Sequence, residues 1–130
     1  MKRINKKGFT LVELLAVIVV LAIILVIAVP RILDVIESAR KESLGRSAQM
    51  VANYLQKDSA LRMLSSDFTV PEDGEDCPED AGFADPEEGD CTYDSSLEGT
   101  EASFTVTIVG AGKFAGWTAI STNGKTPTIE

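Results

Sequence analysis

Twenty-one consecutive residues, Phe9 to Val29, carry one ionisable side chain between them, Glu13, close to the start of the run. As a helix this segment is about 30 Å long, the thickness of a bilayer's hydrocarbon core. A carboxylate there costs about 2.5–3.5 kcal/mol at mid-bilayer and less near the edge, so what Glu13 pairs with becomes a functional question. Lys2, Arg3, Lys6 and Lys7 precede the run. The positive-inside rule holds these cations in the cytoplasm and sends the rest of the chain outside. An ordinary secretory signal fits poorly, because its apolar region spans only about 7–15 residues and ends at a small-residue cleavage site. Here the run is longer, contains Glu13, and ends in Val26-Ile27-Ala28-Val29.

Past Pro30 the pattern stays helical. Ile32, Val35, Ile36 and Ala39 mark one apolar stripe, and Leu44, Ala48, Val51, Leu55, Leu61 and Leu64 continue it at three- and four-residue spacing. Arg40, Lys41, Glu42, Arg46, Gln49, Lys57 and Arg62 fill the other face. The pattern predicts one helix from Phe9 to about Ser65, too long for a small domain to cover. Its first half must be buried by lipid or by neighbouring copies. Pro30 lacks an amide hydrogen and is the expected kink. Gly45 is the one helix-weakening residue after it, at about 1 kcal/mol relative to alanine.

Residues 66–101 change character, with three prolines, four glycines and a dense run of Asp and Glu, and no Lys or Arg falls between Arg62 and Lys113. This stretch reads as an acidic loop region. A solvated surface, a calcium site and contact with a basic partner are all compatible with it, although no part has EF-hand spacing. Cys77 and Cys91 lie within it. Their even count, in a segment placed outside the cytoplasm, favours a disulfide between them. Residues 102–130 read as antiparallel strands. Phe104, Val106 and Ile108 alternate with threonines, Gly110 to Lys113 forms a turn, and Phe114 to Ser121 forms a second strand. Asn123-Gly124 is a hairpin signal, and Thr126 to Ile129 a short edge strand.

The 130 residues include no histidine, which removes the commonest general base and the commonest transition-metal ligand. Two cysteines alone do not build a zinc site. With no phosphate-binding glycine loop either, an enzyme is not expected, nor is a cofactor or a resident metal. An excess of acids, 20 against 12 basic residues, disfavours direct contact with nucleic acid.

The run Lys6-Lys7-Gly8-Phe9-Thr10-Leu11-Val12-Glu13-Leu14-Leu15 resembles the class III signal of type IV pilins and pseudopilins. The resemblance implies an α+β fold: one long N-terminal α-helix, membrane-spanning in its first half, packed by its second half on a small antiparallel sheet. It implies cleavage between Gly8 and Phe9 by a prepilin peptidase and methylation of the new Phe9 amine. Glu13 then becomes the fifth residue of the mature chain, where the family has its glutamate, and Pro30 sits where many members carry a proline. The parts would be a leader over 1–8, a membrane and filament-core helix over 9–30, an amphipathic half over 31–65, the acidic region over 66–101 and the strands over 102–130. Losing the leader leaves 8 basic against 20 acidic residues.

The role implied is a structural subunit of a type IV pilus serving adhesion, motility or DNA uptake. A pseudopilin of a type II secretion or competence apparatus shares the same N-terminal chemistry, and a membrane-anchored binding module that never polymerises is a third reading. Partners implied are other copies of the chain, the peptidase, the assembly platform, minor pilins, and membrane lipid before assembly. The chain would sit in the cytoplasmic membrane, N-terminus inside, and then in a filament at the cell surface. Glu13 would pair with the Phe9 amine of a neighbouring subunit, or else snorkel to the headgroups. The chain departs from the family in two ways. It has no glycine within Leu11–Val29, and 39 residues follow Cys91, whereas many pilins close a disulfide loop near the C-terminus.

Overall fold

The computed structural model describes residues 8–65, 69–82, 89–98 and 101–130. Of the regions read from sequence, residues 1–7 of the leader and parts of the acidic stretch lie outside these. The chain divides into two compact units, Met1–Glu37 and Ser38–Glu130. A single helix, α1, runs from Leu11 to Leu64. Five strands follow: β1 (Glu75–Asp76), β2 (Gly89–Glu98), β3 (Glu101–Gly110), β4 (Thr118–Thr122) and β5 (Thr128–Ile129). They form one sheet in the order β1-β2-β3-β4-β5, antiparallel throughout. A long N-terminal helix packed against a five-stranded antiparallel sheet is a type IV pilin-like α+β arrangement, as the sequence implied.

In the first unit the helix lies open among the described residues. Every large apolar side chain from Phe9 to Ile36 is at least 40% exposed. The helix is long and apolar enough there to cross a membrane. Pro30 sits inside α1, which continues past it to Leu64. Its missing N–H leaves the Val26 carbonyl without its usual helical donor.

In the second unit α1 buries Leu44, Gly45, Ala48, Val51, Ala52, Leu55 and Ser59, spaced three and four apart. This seam alternates large with small, so the sheet approaches closely between Leu44, Val51 and Leu55. Phe104, Val106 and Ile108 of β3 face it, joined by Cys91, Tyr93, Phe114 and Ala119. The Tyr93 and Phe104 rings meet tilted, 6.2 Å between centroids. Two buried hydroxyls bond to main-chain oxygens: Ser59 donates to Gln56 O at 2.9 Å and Ser121 to Lys125 O at 3.0 Å. Among the described residues no buried side-chain polar atom lacks a partner, as a stable core requires.

The acid-rich stretch departs from the expectation of a loop. Gly89–Glu98 is a ten-residue strand paired along its whole length with β3, from Gly89↔Gly110 to Glu98↔Glu101. Cys91 and Tyr93 point inward, while Thr92 and Asp94 stand on the solvent face. With only two large inward side chains, its alternation is hidden among hydroxyls and acids. Glu75–Asp76 adds the short edge strand β1, and Glu79–Ala81 is a 3-10 turn whose Ala81 enters the core. The segment expected as a strand from Phe114 also differs. Gly112–Phe114 is a 3-10 turn anchored by buried Phe114, and β4 starts only at Thr118. The Asn123-Gly124 turn forms as expected. Both residues adopt positive φ, 53° and 65°, the backbone of a type I′ hairpin turn.

Candidate functional site at the start of the helix

Glu13 closes the first turn of α1. Its Oε2 accepts a hydrogen bond from the Thr10 N–H at 2.9 Å, and its own N–H donates to Thr10 Oγ1 at 3.2 Å. The Leu14 N–H donates to Thr10 O at 3.2 Å. This is a reciprocal capping box, which satisfies two of the four N–H groups a helix start leaves unpaired. Thr10 was not singled out from sequence. The Thr-x-x-Glu pattern immediately before an apolar run was the available signal. Glu13 therefore has a local partner within its own chain, on the peptide next to Phe9.

Gly8 has no conformational reason to be glycine. Its φ lies outside the left-handed region, and a β-carbon built on it meets nothing within 4 Å. Gly45 is the opposite case, buried against the sheet with no room for a β-carbon. Whatever requires glycine at position 8 lies outside this fold.

Cys77 and Cys91 are joined by a disulfide, with Cα atoms 5.4 Å apart. They continue the β1–β2 register, and the Cys77 N–H donates to Cys91 O at 3.0 Å. The bridge ties the edge of the sheet to its second strand. Beside it, buried Tyr93 donates its phenol proton to Glu75 at 2.9 Å. Burial, and then the Glu75 carboxylate, push the Tyr93 phenol up to about 12. Glu13 belongs to the first unit and the two cysteines to the second. Among the described residues no group of three or more His, Cys, Asp or Glu could hold a metal ion. Asp67, Asp85, Glu87 and Glu88, which the calcium reading also drew on, lie outside the described residues.

Residues 3–29 match the family described as the prokaryotic N-terminal methylation motif. That motif is the class III prepilin signal of type IV pilins. It spans the basic leader, the Gly8–Phe9 junction, the capping box and the apolar part of α1. No curated protein and no solved structure matches the chain. With the helix-on-sheet fold, the motif supports a precursor of type IV pilin or pseudopilin type, a structural class. It implies a substrate of a prepilin peptidase and, together with the exposed apolar helix, anchoring in a membrane before assembly.

Proposed function

We propose that the chain is the precursor of a type IV pilus subunit. A prepilin peptidase removes residues 1–8 by cutting after Gly8, and the Phe9 amine is methylated. The helix from Phe9 to Pro30 holds the mature chain in the cytoplasmic membrane with its sheet outside. Assembly then moves that helix from lipid into the core of a helical filament. The observation that carries this reading is the methylation motif lying on a helix whose large apolar side chains, from Phe9 to Ile36, are exposed among the described residues. Leaving that much apolar surface in water is untenable, so lipid or other copies must bury it.

Glu13 acts in assembly as the charge partner of the methylated Phe9 amine of a neighbour. An α-amine is largely cationic at neutral pH. In the low dielectric of a helix bundle the pairing offsets part of the desolvation of both groups. The capping box is the alternative partner Glu13 keeps until a neighbour arrives. Intact-mass measurement of the protein from its native host tests the reading. The expected product has lost residues 1–8 and gained one methyl group. A mature protein still beginning at Met1 would refute it.

A further inference from the structure

The turn that follows β4 is fastened on three sides. Within it, the Lys125 N–H donates to Thr122 O at 3.0 Å and closes the turn around Asn123 and Gly124. Towards β3, Asn123 makes two bonds with Phe104. Its N–H donates to Phe104 O at 2.8 Å, and its Oδ1 accepts the Phe104 N–H at 2.8 Å. Towards α1, Gln49 Nε2 donates to Gly124 O at 2.8 Å. The Asn53 carboxamide occupies the space that a β-carbon on Gly124 would need. All of these residues belong to the second unit.

The same dipeptide carries a latent reaction. Asn123 Cγ is an amide carbon one residue before a main-chain nitrogen that no side chain shields, because residue 124 is glycine. The Gly124 nitrogen can give up its proton and attack Cγ. The bond from Cγ to the side-chain nitrogen then breaks and ammonia leaves with that proton, which closes a five-membered imide. Water reopens the ring at Cγ to give aspartate, or at the main-chain carbonyl carbon to give isoaspartate.

The folded turn opposes ring closure. The imide holds Asn123 Cβ and the Gly124 nitrogen on the same side of the bond between Cα and C, which needs a strongly negative ψ at residue 123. The type I′ turn, with φ of 53° at Asn123 and 65° at Gly124, holds that ψ at about +30°. Rotating it undoes the turn and, with it, the Phe104 and Gln49 bonds. Asn-Gly is favoured in any turn of this type, so the dipeptide supplies the reaction and the fold supplies the restraint.

We propose that Asn123 is a site of spontaneous deamidation, and that docking of its turn on β3 and α1 gates the reaction. The two products differ in consequence. Aspartate keeps an oxygen for the Phe104 N–H. Isoaspartate adds a methylene to the main chain, so the type I′ turn cannot re-form and the Phe104 N–H loses its acceptor.

The full-length protein in detergent, held in mildly alkaline buffer with and without urea, tests this. Mass analysis of the peptide containing Asn123 follows the gain of one mass unit and the isoaspartate content. The unfolded chain should convert at least about tenfold faster than the folded one, as gating by a local opening requires. Gln49→Ala with Asn53→Ala should raise the folded rate by about fivefold, the worth of one hydrogen bond, and leave the rate in urea unchanged. The near-ultraviolet signal of Trp117 checks that this variant is folded. Asn123→Asp should fold with the Phe104 N–H protected from exchange, whereas the isoaspartate product should lose that protection. No conversion in urea would overturn the site. Equal rates in the folded and unfolded chain would overturn the gate, and an unchanged folded rate in the double variant would overturn the part assigned to α1.

Discussion

Gly45 and Pro127 are fitted to each other. A β-carbon at position 45 would stand 2.8 Å from Pro127 Cγ and 3.0 Å from Ile129 Cδ1, closer than carbon atoms pack. The residue that weakens the helix is the one that lets the C-terminal edge lie against it. Gly45→Ala should gain about 1 kcal/mol of helix propensity and lose about 1–3 kcal/mol to overpacking. A proline ring yields little, so the net effect should be destabilising. Adding Pro127→Ala should recover part of the loss. Thermal unfolding of the purified protein in detergent, followed by the near-ultraviolet signal of Trp117, measures both. A stabilising Gly45→Ala would show that the edge moves aside freely.

The capping box separates the charge of Glu13 from its role in starting the helix. Glutamine at the third helical position still reaches back to the Thr10 N–H, so Glu13→Gln keeps the cap and loses the charge. Thr10→Val keeps the charge and loses the hydroxyl half of the cap, costing the first turn about 1 kcal/mol. Glu13→Leu loses both and removes a desolvation cost, so membrane insertion should be at least as good as in wild type. All three should still be cut after Gly8. If charge pairing registers subunits, Glu13→Gln and Glu13→Leu should yield few or no filaments while Thr10→Val assembles. Normal yield from Glu13→Gln would assign the effect to the cap.

Gly8→Val should leave the fold untouched, since the added side chain meets nothing within 4 Å at its β-carbon. Processing should stop, because the branched side chain obstructs close approach of the peptidase to the Gly8–Phe9 bond. Mass analysis should find the full precursor in the membrane with its disulfide formed. Normal removal of residues 1–8 from this variant would locate the glycine requirement elsewhere.

Tyr93 should resist alkali. Its phenol is pushed up to about 12 in the folded protein, against about 10 for an unfolded tyrosine. A raised phenol stabilises the fold fully below the unfolded value and loses that contribution as pH climbs towards the folded one. Stability should therefore hold to about pH 10 and fall by on the order of 2 kcal/mol by about pH 12. The ultraviolet tyrosinate signal should contain a step near pH 12 that disappears in Tyr93→Phe.

Opening the Cys77–Cys91 bridge should loosen one edge and spare the rest. The bridged residues are 14 apart in sequence, a closure worth about 3 kcal/mol. β1 has only two residues paired to β2, whereas β2 and β3 pair over ten. After reduction, hydrogen exchange should rise at Gly74 and Cys77 while Val106 and Ile108 stay protected. Exchange rising uniformly across β3 would show that the bridge holds the whole sheet.

The methylation motif and the long apolar helix were legible because both are local properties of the first 30 residues. A charge-poor run of fixed length, a basic flank and one glutamate have the same meaning whatever the rest of the chain does. The amphipathic half of α1, β3 and the Asn123-Gly124 turn were legible for a related reason, since local periodicity and local backbone preference decide them. Cysteine count and compartment likewise pointed to the Cys77–Cys91 bridge. Tertiary structure alone decided what depends on a partner distant in the chain. Gly89–Glu98 is a strand because β3 offers it ten paired residues, and its own composition of acids and hydroxyls did not announce that. Phe114 belongs to a turn because the core takes its ring there. Gly45 is a packing site because Pro127, 82 positions later, lies against it. Local sequence carries local energies, whereas the pairing of β2 with β3 and the fit of Gly45 to Pro127 exist only once the strands have taken their order.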